Sequence, residues 1–244
     1  MRNIKLMIEY DGTGYCGWQR QDNGLSIQEV IENKIGIMTG EDVKLIGSGR
    51  TDAGVHALNQ AANFRTASGI PTEGLLRGLN SLLPHDIAVK EVTEVDLSFH
   101  ARYSAREKVY LYRLFNMDVR SPLERLYSWQ IRGSLDLALM KQCLGVLLGE
   151  HDFSAFMASN SNVKSTIRSV SSASLTSRNS VVEFEIKANG FLRHMVRNIM
   201  GTLAEVGQGR RTPEEFAGIL AGHDRKKAGI TAPPQGLFLK EVIY

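Results

Sequence analysis

The chain reads as an α+β protein of two ferredoxin-like, RNP-like lobes, antiparallel sheets flanked by helices, with a cleft between the lobes for a site. Three observations carry this reading. Strand and helix periods follow one another as strand, helix, strand, strand, helix, strand over the first hundred residues, the split βαβ order also used by RNA-binding sheets. The same theme recurs in larger pieces after residue 107. A length of 244 residues, 43% of them hydrophobic, fills two modest lobes.

Each element has its own signal. Ile4 to Tyr10 alternates as a strand and is broken by Asp11-Gly12-Thr13-Gly14. Ser26 with Glu29 reads as a capping box, and Ile27, Val30, Ile31, Ile35 and Met38 recur at helical spacing up to Gly40. Val43 to Ile46 is strand-like, and Ala62 to Arg65 can pair with it. Leu75 to Leu83 is a helix ended by Pro84, and Ile87 to Val95 a strand. Residues 97 to 107 hold the junction, dividing the chain into lobes 1–100 and 101–244. The second lobe reads as a strand at Lys108 to Asn116, a helix from Leu135 to Leu148, strands near Ser169 to Thr176 and at Val181 to Ala188, and a helix from Phe191 to Val206. Thr212 before Pro213, Glu214 and Glu215 starts a further short helix, and Leu237 to Ile243 is a closing strand.

Composition narrows the function. Cys16 and Cys143 are far apart and belong to no CxxC, and the six histidines are scattered, which speaks against a disulfide framework and a zinc site. No phosphate-cradling glycine motif appears, so neither a metal nor a nucleotide cofactor is expected. No apolar run approaches a membrane span and the one at Ile4 to Ile8 is too short for a signal-peptide core, so a cytoplasmic protein is expected. The net charge of +3 says little, but local charge says more. Residues 99–132 carry Arg102, Arg106, Lys108, Arg113, Arg120, Arg125 and Arg132 against three acids, and residues 186–211 carry Lys187, Arg193, Arg197, Arg210 and Arg211 against Glu205. Both stretches contain aromatics, a composition that fits phosphate contacts and base stacking as well as it fits solvated faces.

The stretch richest in chemistry is Gly49-Arg50-Thr51-Asp52-Ala53-Gly54-Val55-His56-Ala57, which sets a carboxylate and a guanidinium between glycines. If residues 50 to 52 are extended, Arg50 and Asp52 share a face and can pair. Read locally, Thr51 to Gly54 forms a type I turn with a solvated Asp52. A carboxylate acts as nucleophile or base without a cofactor. In the strand after residue 107, positions 110, 112 and 114 share one face, so Tyr110 and Tyr112 point together. In the helix read from Phe191, Arg193 and Arg197 stack four apart on a face away from the apolar set, an arrangement an anionic partner would explain. His56 has no second histidine or carboxylate at a fixed spacing and reads as structural.

The Asp52 string resembles the motif that carries the catalytic aspartate of the pseudouridine synthases, in particular the tRNA pseudouridine synthase A family. Tyr10-Asp11-Gly12-Thr13 with Gly17-Trp18-Gln19, Phe99-His100-Ala101-Arg102 leading to Lys108-Val109-Tyr110-Leu111-Tyr112, Gly149-Glu150-His151-Asp152-Phe153, His194-Met195-Val196-Arg197-Asn198, and Thr231-Ala232-Pro233-Pro234 to Gly236-Leu237 are similar to that family in the same order. The resemblance spans nearly the whole chain. It implies an isomerase that converts uridine to pseudouridine in the tRNA anticodon stem-loop, at tRNA positions 38, 39 and 40, without a cofactor, working as a homodimer. It implies Asp52 as the catalytic carboxylate, either attacking the sugar or removing a proton from ribose C2′. It implies Tyr110 as the active-site tyrosine, Arg197 as the aspartate's partner, and Leu237 as an apolar floor under the base, although Leu237 read alone is a core leucine. Arg50, Arg102, Arg106, Lys108 and Arg193 are left to substrate binding. Two rivals keep part of this pattern: a non-catalytic RNA-binding protein on the same sheets, which has no use for Asp52 beside an arginine, and a glycosidic hydrolase, which needs a second acid at a set separation.

Overall fold

The computed structural model describes residues 1–22, 24–159 and 163–244. In chain order these form β1 (Arg2–Tyr10), α1 (Ile27–Thr39), β2 (Ile46–Gly47), β3 (His56–Thr66), α2 (Thr72–Leu82), β4 (Ile87–Val95), β5 (Glu107–Asn116), β6 (Trp129–Ile131), α3 (Leu137–Gln142), α4 (Leu144–Leu147), β7 (Gly149–Asp152), β8 (Ile167–Arg178), β9 (Val181–Ala188), α5 (Met195–Gly207), α6 (Pro213–Gly222) and β10 (Leu237–Ile243), with short 3₁₀ turns at Ser154–Phe156, Arg225–Lys227 and Pro234–Gly236. The chain divides into two compact units, one of Met1–Arg106 with Phe238–Tyr244 and the other of Glu107–Leu237. This division differs from lobes 1–100 and 101–244 chiefly in the last strand, which belongs with the first unit.

In the first unit β1 is central, antiparallel to β4 on one edge and to β3 on the other. The outer edge of β3 is shared. Its far half takes β2 antiparallel at Ala62 and Asn63, and its near half takes β10 in parallel at His56 and Ala57. With β2 in place the order β4-β1-β3-β2 is the split βαβ arrangement read from the sequence. Alternation along β1 buries Ile4, Leu6 and Ile8, and the apolar stripes of α1 and α2 bury Ile27, Ile31, Ile35, Leu75 and Leu79. At α1 only the serine half of the capping box forms among the described residues: Ser26 Oγ accepts the Glu29 N–H at 3.3 Å, while the Glu29 carboxylate lies 3.8 Å from Arg20. A buried polar chain fastens the 96–101 segment. Asn63 donates to Asn3 Oδ1, Asn3 donates to the carbonyls of Asp96 and Phe99, and Asn63 Oδ1 accepts the Ala101 N–H.

In the second unit β5 pairs antiparallel with β9, β9 with β8 and β8 with β7, while β6 runs parallel to β5 at Leu114–Asn116 on its other edge. β4, β9 and β10 have the bounds read from the sequence. In the first unit the strand expected over Val43 to Ile46 is only Ile46–Gly47, and in the second unit two helices and two short strands differ from the reading. The helix expected over Leu135 to Leu148 is two short pieces, α3 and α4, meeting at Cys143; Gly145 and the β-branched Val146 weaken the second. The helix expected from Phe191 begins at Met195, because His194 takes a left-handed conformation (φ 63°) and the Arg193 carbonyl accepts the Ala158 N–H instead of an intrahelical partner. Arg193 therefore lies outside α5, and the stacking of Arg193 and Arg197 on one helix face does not occur. β6 and β7 carry no signal in the sequence, being three or four residues long without alternation. α6 starts as expected, with both halves of a capping box between Thr212 and Glu215 at 3.2 and 2.8 Å.

Candidate active site

Asp52 opens a tight turn. The Val55 N–H donates to the Asp52 carbonyl at 3.1 Å, and Gly54, third of the four residues, has φ 75°. A positive φ at that position belongs to a type II turn, so the turn runs from Asp52 to Val55 rather than from Thr51 to Gly54 as type I. The loop is supported from behind. The Trp18 N–H donates to the Thr51 carbonyl at 3.1 Å, and Thr51 Oγ1 shares a 2.8 Å hydrogen bond with the Tyr10 hydroxyl. Burial raises the Tyr10 pKa and keeps it a neutral phenol. On the near side, Ser48 donates to Gln60 Oε1 at 2.6 Å and Gln60 Nε2 donates to the Gly49 carbonyl at 2.9 Å.

These contacts give physical roles to the residues near the start of the chain. The Gly12 N–H donates to His56 Nδ1 at 3.1 Å, and a Cβ on Gly12 would stand 2.0 Å from the Val55 carbonyl oxygen. A Cβ on Gly17 would stand 2.5 Å from the Thr51 carbonyl oxygen. Only bare backbone fits against the Asp52 turn at both points. His56 is buried and stacks on Phe238 with ring centroids 4.7 Å apart. Arg50 is exposed and makes no ion pair among the described residues, so the local pairing with Asp52 weighed from the sequence does not form.

In the second unit Tyr110, Tyr112 and Leu114 lie on one buried face of β5, as the alternation required. Tyr110 meets the edge of Phe191 at a centroid distance of 4.9 Å and 78°. Tyr112 is a core residue whose hydroxyl donates to the Pro233 carbonyl at 2.7 Å. Burial raises its pKa, and the nearby Arg197 charge offsets part of that rise. Arg197, half-buried on α5, donates from Nε to the Ala232 carbonyl at 2.7 Å, and its own carbonyl accepts the Ala232 N–H at 3.1 Å. Leu237 is buried at the start of β10. Among the basic candidates Arg102, Arg106 and Arg193 are exposed and Lys108 is half-buried; Arg102 sits 5.7 Å from the Tyr103 ring centroid. Arg211 is spoken for by Glu205, and Arg113 lies between Glu124 and Glu183. Among the described residues no group of three His, Cys, Asp or Glu side chains is arranged to hold a metal.

A family model described as "tRNA pseudouridine synthase" matches residues 6–104 and 145–244. Over its full length the chain is 51% identical to "tRNA pseudouridine synthase A" of Geotalea uraniireducens (strain Rf4), 52% to that of Geotalea daltonii, and 50% to that of Thermoanaerobacter sp. (strain X514), in each case covering 100% of both chains. The chain belongs to the tRNA pseudouridine synthase family. The matched residues of this synthase family hold Asp52, Arg102, Arg193, Arg197 and Leu237, whereas Arg106, Lys108 and Tyr110 fall in the unmatched stretch 105–144 that the full-length relatives cover. Sequence reasoning missed the supports. Tyr10, Thr51 and Gln60 around the Asp52 loop, and Asn198 and Thr231 beside Arg197, stand in or near the motifs but acquire a role only from their contacts. Arg225, inside the charged run Asp224-Arg225-Lys226-Lys227, carried no signal.

Proposed function

We propose that the chain is an isomerase that converts uridine to pseudouridine in the anticodon stem-loop of tRNA, at tRNA positions 38, 39 and 40, acting in the cytoplasm as a homodimer and without a cofactor. The reaction breaks the bond between N1 of uracil and C1′ of ribose, turns the base over and joins C5 to C1′; the proton leaves C5, N1 gains one, and no water is consumed. Asp52 is the carboxylate that opens the glycosidic bond. Tyr110 stacks on the uracil and offers its hydroxyl to the proton transfer. Arg197 is the cation that balances the carboxylate, and Leu237 the apolar floor under the base. A stem uridine has to leave its stack first, at a cost of a few kcal/mol, and Arg50 is suited by its exposure to fill the gap. Arg102, Arg106, Lys108 and Arg193 contact backbone phosphates.

The observation that carries this reading is the Asp52 turn. A carboxylate stands on a type II turn whose supports, from Tyr10, Gly12 and Trp18, all come from residues that resemble the family's N-terminal motif. A backbone held at these points sets where the carboxylate starts from, which is the positioning that a reaction at a single sugar atom needs. The test is incubation with an unmodified tRNA transcript, followed by carbodiimide mapping and mass measurement. Pseudouridine at positions 38 to 40 with unchanged mass is expected. An unaltered tRNA would make the chain a binding module, and free uracil with an abasic site would make it a hydrolase. Sedimentation of the free protein at twice the 27.0 kDa chain mass tests the homodimer.

A further inference from the structure

The segment after α6 lies directly on α5. A Cβ on Gly201 would stand 1.8 Å from the Ile230 carbonyl oxygen, so backbone touches backbone there. One residue along, the Gly229 N–H donates to Thr202 Oγ1 at 3.0 Å, and Thr202 donates in turn to the Asn198 carbonyl at 2.8 Å. At the other end Ala232 exchanges two hydrogen bonds with Arg197. The 228–232 strap thus supports the Arg197 guanidinium directly, through the Ala232 carbonyl.

Arg225 holds that strap at three acceptors and α5 at a fourth. Its Nη1 donates to the carbonyls of Ala228 and Gly229 at 3.3 and 3.0 Å, and its Nη2 donates to Asn198 Oδ1 and Thr231 Oγ1, both at 3.1 Å. Thr231 Oγ1 donates to the same Asn198 oxygen at 2.7 Å, and Asn198, fully buried, spends its amide on the Phe156 carbonyl at 2.7 Å. The planar fork of a guanidinium spans helix and strap at once, which a lysine's single point charge cannot do. With both Nη groups donating inside the protein, Arg225 differs from its exposed neighbours Lys226 and Lys227, which are open to solvent.

We infer that Arg225 is a positioning residue for the isomerisation: it locks the strap onto α5 and, through the Ala232 carbonyl, aims the Arg197 guanidinium. This rests on the role proposed for Arg197. A side chain displaced by about 1 Å from its working position costs on the order of a hundredfold in rate, so the effect belongs in kcat. The test is a double-mutant cycle with steady-state kinetics on tRNA and thermal melting of each variant. Arg225→Met should lower kcat by roughly 10- to 100-fold with KM within about threefold. Arg225→Lys, which keeps the charge, should recover part of that loss, and Thr231→Val, which removes one link, should fall between. In an Arg197→Lys background Arg225→Met should lower kcat less than about twofold further, while lowering the melting temperature as much as it does alone. Losses in kcat that multiply in full, or a folded Arg225→Met enzyme with parental kcat, would overturn the inference. Should Arg225→Met fail to fold, the same cycle with Arg225→Lys and Thr231→Val decides it. An Arg197→Lys enzyme as fast as the parent would remove the role proposed for Arg197 and this inference with it, an outcome distinct from additive losses.

Discussion

Asp52 and the glycine opposite it make two different demands on single residues. In its proposed role the carboxylate has to carry charge and act as nucleophile or base, so Asp52→Asn, which keeps shape and removes both capacities, should reduce turnover by more than about a thousandfold while tRNA affinity stays within a few fold. Filter binding beside a single-turnover assay checks both halves, and retained turnover would end the catalytic assignment. Gly12 has to carry nothing. A Cβ there would stand 2.0 Å from the Val55 carbonyl oxygen, so Gly12→Ala must push the Asp52 turn or the β1 end out of place. The expected cost is about 1–3 kcal/mol of stability, read from urea denaturation, together with a loss of turnover that the stability loss alone does not explain.

At the scale of elements, the segments with a long regular pattern were legible and the short ones were not. β1, β4 and β9 alternate over most of eight or nine residues, β10 is an apolar-rich run of seven, α1 carries an apolar stripe between clear start and stop residues, and α2 carries one ended by Pro84. β6 and β7 exist because β5 and β8 offer them an open edge, a circumstance their own three or four residues do not record. Phe191 and Leu192 fit the helical stripe of α5, yet the left-handed His194 stands between them and its first turn. α6 offers a clean test of local signals. Thr212→Ala deletes the hydroxyl half of a complete capping box and should cost about 1 kcal/mol. The denaturation midpoint should shift at constant slope, with turnover per folded molecule unchanged; a cost near zero would show that tertiary packing alone sets this helix end.

Across the whole molecule, affinity for tRNA should depend on charge that is free to meet phosphate. Two basic stretches were legible in the sequence, but the structure sorts their members. Arg211 is paired with Glu205 and Arg113 lies between Glu124 and Glu183, whereas Arg102 and Arg193 are exposed. If backbone phosphates are neutralised by the exposed ones, the logarithm of affinity falls with the logarithm of salt by roughly 0.7 to 0.9 per contact. Arg102→Ala and Arg193→Ala should each weaken binding to any tRNA and shallow that slope by about one contact, without changing which uridine reacts. Arg211→Ala should leave the slope as it is. A slope indifferent to Arg102 and Arg193 would place the RNA elsewhere on the surface. None of the helices among the described residues is long and apolar enough to cross a membrane.

By itself the sequence determined the types of the longer elements, the order of the first unit, the resemblance to the synthases and the choice of Asp52 as the candidate carboxylate, because periodicity, turn residues and motif chemistry are written in neighbouring positions. The tertiary structure decided the rest. That the last strand joins β3 in parallel, with partners 182 residues apart in the chain, depends on which half of an edge β2 leaves open. That Gly12 and Gly17 must be bare depends on the carbonyls of Val55 and Thr51 arriving against them. That Arg225 holds the support of Arg197 depends on four acceptors brought together from α5 and the strap after α6. A pattern along the chain encodes which way a side chain faces, whereas what it meets is set by contacts between distant segments.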